Sequence, residues 1–400
     1  MDFPYSRLRR WPDVEADNLQ AYDATDLLLV ERGLASGVAG NEIAVIGDEY
    51  GAITLALAAA GLDGVRVHQD LATGRRALAR NADELGLSGF SSHELDATLL
   101  DGARLVLLQL PKALAELEEI TDAVARWSAS DVVLVAGGRV KHMTIAQNEV
   151  IGRGFAEVQA QRAERKSRLV IASEPRPVPA HPPFPVVAKH DGLTLVAHGG
   201  AFAGAKLDIG TRVLLEVLGL DGSRLSIDAP DPTGSAPETA DPADPSCVVN
   251  GDESSPATTV VDLGCGTGAL AASYALAHPE ARVIATDRSA AAVASARATV
   301  AANGVGDRVA VMHDDAGSAL ADASVDVVLL NPPFHLGSSV HTGAATRLFE
   351  AAARILRPGG ELFTVFNSSL GYRAELTRLV GATEQLERTP KFTVTRSIRR

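Results

Sequence analysis

The sequence predicts an α/β fold in which one doubly wound, Rossmann-like domain occurs twice in tandem. Strand-like and helix-like segments alternate in each half of the 400-residue chain, which indicates parallel sheets with helices on both faces. "EIAVIGDEYGAITLALAAAGLDGVRVHQD" overlies "TVVDLGCGTGALAASYALAHPEARVIATD" at a constant offset of 217. This register pairs Gly47 with Gly264, Gly51 with Gly268, and Asp70 with Asp287. Shared strand-end positions in one register indicate a duplication.

The elements of the second half follow in order. "ATTVVDLGCG" is a strand ending in a glycine turn, "TGALAASYALAHP" a helix, "ARVIATD" a strand, "SAAAVASARATVAANGV" a helix and "RVAVMHDD" a strand. "VDVVLLN", the helix "HTGAATRLFEAAARIL", the turn "RPGG" and the strand "ELFTVFN" complete the pattern. Near the same offset, "LVLLQLPK" of the first half lies over "VVLLNPPF".

Proline-rich segments divide the chain. We expect a first copy at 1–178, a connector and lead-in at 179–224, and a second copy at 257–400. Residues 225–256 have no apolar periodicity and read as a disordered acidic insertion, because they cannot bury enough surface to offset the entropy of ordering.

Composition sets the class of protein. A hydrophobic fraction of 46% and a charged fraction of 22% are ordinary for a soluble globular chain. Two cysteines fit a reducing compartment and argue against a Cys-rich metal site, so no metal is expected. No stretch resembles a signal peptide or a membrane span. We therefore expect a cytoplasmic protein without a membrane partner.

The net charge of −13 argues at first against a nucleic-acid partner. The charge is uneven, however: residues 221–256 contain eight acidic residues and one base, which leaves −6 for the other 364 residues. Basic clusters remain at 6–10, 161–168 and 396–400. The overall sign of the charge therefore decides little about the partner.

The glycine turn of the second half suggests a cationic ligand. "VVDLGCGTGAL" places Asp262, Gly264, Gly266 and Gly268 between a strand and a helix, in the pattern D-x-G-x-G-x-G. Glycines let a ligand approach the backbone closely, and no Arg or Lys stands at the turn to bind a pyrophosphate. An acid at this place suits an amine, and S-adenosylmethionine, with its amino-acid tail and sulfonium, fits.

Acids at the ends of the next two strands complete a nucleoside site. Asp287 ends the second strand and is placed to accept hydrogen bonds from both ribose hydroxyls, or to cap the following helix. Asp315 is placed to bind the adenine amine, and Asp314 is the alternative that the sequence leaves open.

The fourth strand ends in Asn331, Pro332, Pro333 and Phe334. The Asn331 amide oxygen and the Pro332 carbonyl can accept the two hydrogens of a planar amine, and Phe334 offers a face for stacking a base. Holding such an amine can turn its lone pair toward a sulfonium methyl group. His335 is a further candidate at the edge of the substrate pocket.

Together these motifs resemble class I S-adenosylmethionine-dependent amino-methyltransferases. The "NPPFH" form, "FAGAKLDIGTRVLLEVL" and "KFTVTRSIRR" resemble the bacterial ribosomal RNA guanine-N2 methyltransferases that carry two tandem methyltransferase-like domains. The resemblance implies a catalytic second copy and a degenerate first copy that assists folding or RNA binding. Asn331, Pro332 and Phe334 would then be catalytic, with Asn331, Phe334 and His335 at the substrate.

The first copy agrees with this expectation. Val45 stands at the Asp262 position and Glu49 at the Gly266 position, where side chains would obstruct a cofactor. "QLPK" replaces "NPPF", which we interpret as loss of both the amide and the ring. The "LPK" stretch and "KHMTIAQNEVIGRGF" resemble the large-subunit (23S) type more than the small-subunit (16S) type.

We therefore expect a monomeric 23S enzyme that acts on ribosomal RNA, a ribosomal subunit or an assembly intermediate. Three alternatives to this interpretation remain. The first is the 16S type. The second is a protein glutamine methyltransferase, whose Asn-Pro-Pro turn is usually followed by Tyr, unlike Phe334 here. The third is a non-catalytic ribosome-assembly protein, which would be expected to lose Asp287 and Asn331.

Overall fold

The structure is a computed structural model that describes residues 3–220, 257–333 and 342–400. The expectations for the insertion at 225–256, and for Phe334 and His335, lie outside the described residues.

The first copy is built around a seven-stranded sheet. Its strands are β1 Ile43–Ile46, β2 Val65–His68, β3 Phe90–Ser92, β4 Leu105–Gln109, β5 Val133–Arg139, β6 Phe155–Ala160 and β7 Ser167–Pro175. Its helices are α1 Ala24–Ala35, α2 Ala52–Ala59, α3 Ala72–Leu85, α4 Ala97–Leu100, α5 Leu114–Trp127 and α6 Ile145–Gly154.

A hairpin and a helix lead into the second copy: β8 Val186–His190, β9 Leu193–Ala197 and α7 Ile209–Leu218. The strands of the second sheet are β10 Thr259–Leu263, β11 Arg282–Asp287, β12 Val309–His313, β13 Val325–Leu330, β14 Leu356–Asn367, β15 Thr383–Arg388 and β16 Phe392–Ile398. The helices around it are α8 Ala269–Ala277, α9 Ala290–Ala302, α10 Thr342–Ile355 and α11 Arg373–Leu379.

The two sheets have the same strand order, which confirms the duplication. The first runs β3-β2-β1-β4-β5-β7-β6 and the second β12-β11-β10-β13-β14-β16-β15. Both sheets are parallel except at one edge, where β7 pairs antiparallel with β5 and β6, and β16 pairs antiparallel with β14 and β15. Short connections join these last strands, and a short connection can only join antiparallel neighbours.

The turns after the first strands also have the same backbone geometry. Gly47 and Gly264 have φ values of 81° and 79°, and Gly51 and Gly268 have values of 89° and 77°. Both pairs lie in the left-handed region, which glycine adopts without the strain that a Cβ atom causes. The sequence register at an offset of 217 therefore corresponds to one repeated strand–turn–helix unit.

The core of the second copy has two layers, one on each face of the sheet. Along β10, Val260 packs with Leu270 of α8 and Leu214 of α7, whereas Val261 and Phe349 of α10 belong to the layer on the opposite face. Alternation along a strand that is buried on both faces is what a doubly wound sheet requires. The layers fix β10, β11 and β13 side by side, so their carboxyl ends meet at one edge.

The hairpin of β8 and β9, which lies in the segment expected to be a connector, packs against α9. Ser295 and Thr299 lie one turn apart on α9, and Asn303 follows four residues later as its C-cap. Within β9, Thr194 N donates to Asn303 Oδ1 at 2.9 Å and Val196 N to Thr299 Oγ1 at 3.0 Å, and just after β9 His198 N donates to Ser295 Oγ at 2.9 Å. Side chains of a helix thus satisfy the edge of a strand that would otherwise be unpaired.

Candidate active site

A cavity of about 370 Å³ lies where β10, β11, β12 and β13 end. The residues predicted for the site that line it are Asp262, Gly264, Gly266, Asp287, Asp315, Asn331 and Pro332. The structure thus brings together most of the predicted site residues that it describes. Doubly wound sheets bind ligands at this carboxyl edge.

The three glycines of the turn have different roles. A Cβ atom added to Gly264 or Gly266 would meet no described residue within 4 Å, so both glycines border space that the described residues leave open. A Cβ atom at Gly268 would lie 3.0 Å from the Ala296 side chain of α9. Gly264 and Gly266 therefore leave room for a ligand, and Gly268 allows α8 and α9 to pack closely.

Asp262 carries a buried carboxylate with one unsatisfied oxygen. Its Oδ2 accepts from Ala271 N at 3.0 Å, whereas Oδ1 has no partner among the described residues. Burial raises the pKa of Asp262 to about 7. A buried acceptor without a partner is costly, and a cation beside Oδ1 would satisfy it and keep the carboxylate charged.

Asp287 holds the glycine turn from the end of β11. Its Oδ2 accepts from Gly266 N and its Oδ1 from Ser289 N, each at 2.9 Å. Ser289 itself caps α9, because its side chain accepts from Ala292 N. A carboxylate has about four acceptor positions, so Asp287 keeps capacity for ribose hydroxyls after these two bonds. Burial raises the pKa of Asp287.

The environments of Asp314 and Asp315 distinguish the two adenine candidates. The Asp314 carboxylate accepts from Arg76 and Ser318 through Oδ1 and from Ala319 N through Oδ2. Asp315 has one described partner, the Arg347 guanidinium of α10, at Oδ2. Burial raises the pKa of Asp315, and the charge of Arg347 opposes this effect. Asp315 is therefore the acid with free acceptor capacity.

Asn331 is held in one orientation by Asp208 and Thr211 at the start of α7. Its Nδ2 donates to Asp208 Oδ2 at 3.0 Å and to Thr211 Oγ1 at 2.9 Å. A carboxylate cannot donate, so the nitrogen and not the oxygen of the amide must face Asp208. Asn331 Oδ1 is buried and has no partner among the described residues. The side chain thus presents a fixed acceptor at the cavity.

Asp208, Thr211 and Arg347 are site residues that sequence reasoning missed. Asp208 caps α7, because its Oδ2 accepts from Gly210 N at 2.9 Å. A helix cap before an apolar helix was the only signal in "KLDIGTRVL", and such a signal does not indicate a distant Asn. Arg347 lies in the predicted helix "HTGAATRLFEAAARIL" and gave no signal of its contact with Asp315.

The equivalent turn of the first copy is filled by its own side chains. The buried Asp48 accepts from Gly51 N at 3.0 Å and from Thr54 N at 2.7 Å, so its carboxylate closes the start of α2. The Glu49 side chain at the Gly266 position is exposed at this turn, and its expected obstruction of a cofactor stays a prediction. The side chain buried in the turn is its neighbour Asp48.

The expectation that the first copy lacks the amide is corrected by the sheet register. β1 pairs Val45 with Leu107, and β10 pairs Asp262 with Leu329, which places Gln109 at the position of Asn331. Gln109 Nε2 donates to Asp26 Oδ1 of α1 at 2.5 Å. The first copy therefore keeps a tethered amide, one methylene longer, and the comparison of "QLPK" with "NPPF" missed it because Gln was not counted as an amide.

Family models match both parts of the chain. Residues 2–176 match the RLMG N-terminal domain, and residues 248–396 match the methyltransferase small domain. Ribosomal RNA large subunit methyltransferase G of Streptomyces avermitilis is 33% identical over 98% of this chain and 97% of its own length. The protein of the same name from Pseudomonas paraeruginosa is 34% identical with the same coverage.

The chain belongs to the ribosomal RNA large subunit methyltransferase G family. Among solved structures, the T. thermophilus 16S rRNA N2 methyltransferase, in complex with AdoMet and guanosine, superposes with a TM-score of 0.68. It is 23% identical, and the match covers 94% of this chain and 92% of that chain. This similarity confirms the tandem methyltransferase fold.

None of the helices in the described ranges is long and apolar enough to cross a membrane. Within the same ranges, no group of three or more His, Cys, Asp or Glu side chains is arranged to hold a metal ion. Cys265 is buried, and burial raises the pKa of its thiol well above the ordinary value, which suits a packing residue and not a nucleophile.

Proposed function

We propose that this chain methylates the exocyclic N2 amine of a guanine in large-subunit (23S) ribosomal RNA, and that the second copy alone performs the reaction. The observation that carries the proposal is the Asn331 amide, whose nitrogen is fixed by Asp208 and whose buried oxygen has no described partner. The names of the family members, which are large-subunit methyltransferases, favour 23S over 16S RNA.

The residues of the cavity fit S-adenosylmethionine as the methyl donor. Asp262 Oδ1 offers an unsatisfied buried acceptor for its ammonium, and Gly264 and Gly266 leave the space for its amino-acid part. Asp287 would accept from the ribose hydroxyls, and Asp315 from the adenine amine. When bound, S-adenosylmethionine supplies an electrophilic methyl group on a sulfonium sulfur.

The remaining chemistry is the positioning of the guanine amine. Asn331 Oδ1 would accept one N–H of the amine and the Pro332 carbonyl the other, so that the plane of the amine is fixed. Because Asp208 and Thr211 hold Nδ2, the acceptor does not have to reorient when the substrate arrives. A guanine in RNA must leave its stack to reach such a site, and Phe334 and His335 are proposed to contact it there.

The proposal assigns a task to each segment. Residues 257–400 are the catalytic domain, 179–224 form its lead-in, 1–178 bind RNA or support the fold, and 225–256 are an acidic insertion. Asp208 and Thr211 give the lead-in a part in the site itself, since both contact Asn331. We expect a cytoplasmic monomer acting on ribosomal RNA or on an assembling large subunit.

Methyl transfer to unmodified transcripts tests this function. The protein is incubated with methyl-labelled S-adenosylmethionine and with 23S RNA, 16S RNA or large-subunit particles that lack the modification, and the nucleosides are identified by mass spectrometry. We expect N2-methylguanosine in 23S RNA, naked or assembled, and none after Asn331→Ala. Label in 16S RNA alone, a different methylated nucleoside, or undiminished transfer by Asn331→Ala would each overturn the proposal.

A further inference from the structure

Two loops of the second copy form the nucleoside side of the cavity, and both are held by the first copy. One begins at Asp287, the last residue of β11, and continues through Arg288 and Ser289, and the other follows β12 and contains Asp314 and Asp315. The first copy contacts them through residues 70–76, which comprise the end of the connection after β2 and the first residues of α3.

The loop after β11 is joined to the first copy by backbone and side-chain hydrogen bonds. Ala72 N donates to Arg288 O at 2.8 Å, and Ala290 N donates to Asp70 O at 2.9 Å. The Asp70 carboxylate accepts from Ser289 Oγ at 3.1 Å and from Ala291 N at 2.9 Å, both through Oδ1. Asp70 thus caps α9 at the residues that directly follow Asp287.

The loop after β12 is joined by an arginine. Arg76 donates to Asp314 Oδ1 at 2.5 Å and to Ser318 Oγ at 2.9 Å. The Asp314 side chain is 2% exposed and that of Arg76 is 39% exposed, so a largely buried carboxylate receives its only described counter-charge partner from the other copy. Burial alone would raise the pKa of Asp314, but hydrogen bonds from Ser318, Ala319 and Arg76 hold it below the ordinary value.

The backbone contacts between the two copies are nearly symmetric, whereas the charged side chains at this contact are not. Leu71 pairs with Ser289, as expected for a pseudo-two-fold axis between equivalent loops. At the offset of 217, however, the equivalent of Arg76 is Val293, which carries no charge. Asp70, the equivalent of the ribose acid Asp287, has its carboxylate engaged by the second copy. Side chains of the second copy also reach this loop, since His313 Nε2 lies 3.0 Å from Asp70 O and Ser289 Oγ donates to Asp70 Oδ1, but Arg76 has no charged equivalent at the offset position.

We propose that Asp70 and Arg76 of the first copy are positioning residues for the cofactor cavity of the second. Asp70 holds the start of α9 and through it the Asp287 loop, and Arg76 holds Asp314 so that the adjacent Asp315 faces the cavity. This inference rests on the proposed function, because it concerns the same cavity. It gives the degenerate copy a role in cofactor affinity that is separate from RNA binding.

Calorimetric titration of the full chain with S-adenosylhomocysteine, without RNA, tests the inference. Arg76→Ala should lower the affinity roughly tenfold, equivalent to about 1.4 kcal/mol, and Arg76→Lys should recover part of it, because Lys keeps the charge but not the two-armed contact. Arg80→Ala is the matched control: Arg80 lies one turn further along α3, is 45% exposed and pairs with Glu84 of its own helix. Its affinity should equal that of the wild type.

Hydrogen exchange of the ligand-free variants separates positioning from unfolding. In Arg76→Ala, exchange should accelerate in peptides covering 287–291 and 314–319 and remain unchanged in β10 and β13. Asp70→Asn should accelerate the 287–291 peptide alone. If Arg76→Ala does not fold, Arg76→Lys provides the same comparison with a milder change.

Two results would overturn the inference, and they differ in what else they overturn. Wild-type affinity and exchange in Arg76→Ala would contradict the positioning role and leave the proposed methyltransferase function standing. Absence of S-adenosylhomocysteine binding by the wild-type chain would contradict both.

Discussion

The two copies have the same backbone fold and differ in the side chains at the turn after the first strand, β1 or β10. In the first copy, the Asp48 carboxylate occupies the turn and caps α2. In the second, the described residues leave open space beside Gly264 and Gly266 and offer no partner to Oδ1 of the buried Asp262. The comparison shows that one fold can carry either a turn closed by a side chain or a turn that borders a cavity, because the difference resides in a few side chains.

The tethered amides extend this comparison. Asn331 donates to Asp208 and Thr211, and Gln109 at the equivalent position donates to Asp26. An amide held by the preceding helix is therefore a feature of both copies. A cavity of about 330 Å³ lies beside Gln109 as well, but it borders the turn that Asp48 closes, whereas the cavity beside Asn331 borders the open turn of Gly264 and Gly266. We therefore expect chemistry at Asn331 alone.

Removing each amide in turn should give the largest difference between the copies. Asn331→Ala is expected to lower kcat roughly 100- to 1000-fold, the effect of deleting one preorganised partner of a reacting group, while Gln109→Ala leaves kcat unchanged. Single-turnover methyl transfer to 23S RNA measures both. Equal losses in the two variants would show that the first copy takes part in the chemistry.

Asp262 should give a pH-dependent effect that the first copy lacks. Its carboxyl has a pKa of about 7 without ligand, so affinity for the cationic cofactor should rise between pH 6 and pH 8 as the group ionises. Asp262→Asn should weaken binding roughly tenfold and remove this rise. Calorimetry at several pH values measures it, and an unchanged pH profile in Asp262→Asn would contradict the role.

Asp262 should also make the stability of the ligand-free protein depend on pH, in the direction opposite to that of cofactor affinity. Because the folded-state pKa of Asp262 lies above its ordinary value of 3.8, the folded chain binds more protons between pH 3.8 and about 7. The ligand-free protein should therefore lose stability as the pH rises through that window. Asp262→Asn should reduce this loss in thermal unfolding.

Changing the acids that hold the amides should have a smaller effect. Asp208→Asn is expected to lower kcat about fivefold, roughly 1 kcal/mol, because an amide at 208 no longer forces the Asn331 nitrogen to face it. Asp26→Asn should leave kcat unchanged, because neither Asp26 nor the Gln109 that it holds lines the cavity of the second copy. A larger loss in Asp26→Asn than in Asp208→Asn would contradict the account.

Substitution of Asp48 should lower the stability of the protein without changing its affinity for the cofactor. Asp48→Ala removes the acceptor for Gly51 N, Ile53 N and Thr54 N and should lower the free energy of unfolding by about 1–2 kcal/mol. Cofactor affinity should stay at the wild-type value. Urea unfolding and calorimetry measure the two quantities, and a loss of affinity with unchanged stability would contradict the assignment.

Local patterns predicted the part of the site that is local in sequence. Asp262, Gly264 and Gly266 lie within one strand and one turn, and the structure places all three at the cavity. The hydrogen bond from Asn331 to Asp208 was not predictable, because Asp208 is 123 residues away. An Asp before an apolar helix is already explained as a helix cap, so the sequence gives no reason to expect a second contact. The contact of Arg76 with Asp314 spans 238 residues and depends on how two copies pack, which a strand and helix pattern does not encode.

Stoichiometry of cofactor binding tests the central claim, that one fold occurs twice and one copy holds the chemistry. Titration of the full chain with S-adenosylhomocysteine should give one site per chain, which Asp262→Ala abolishes and Asp48→Ala leaves intact. Two sites per chain, or one site that survives Asp262→Ala and is lost in Asp48→Ala, would contradict it.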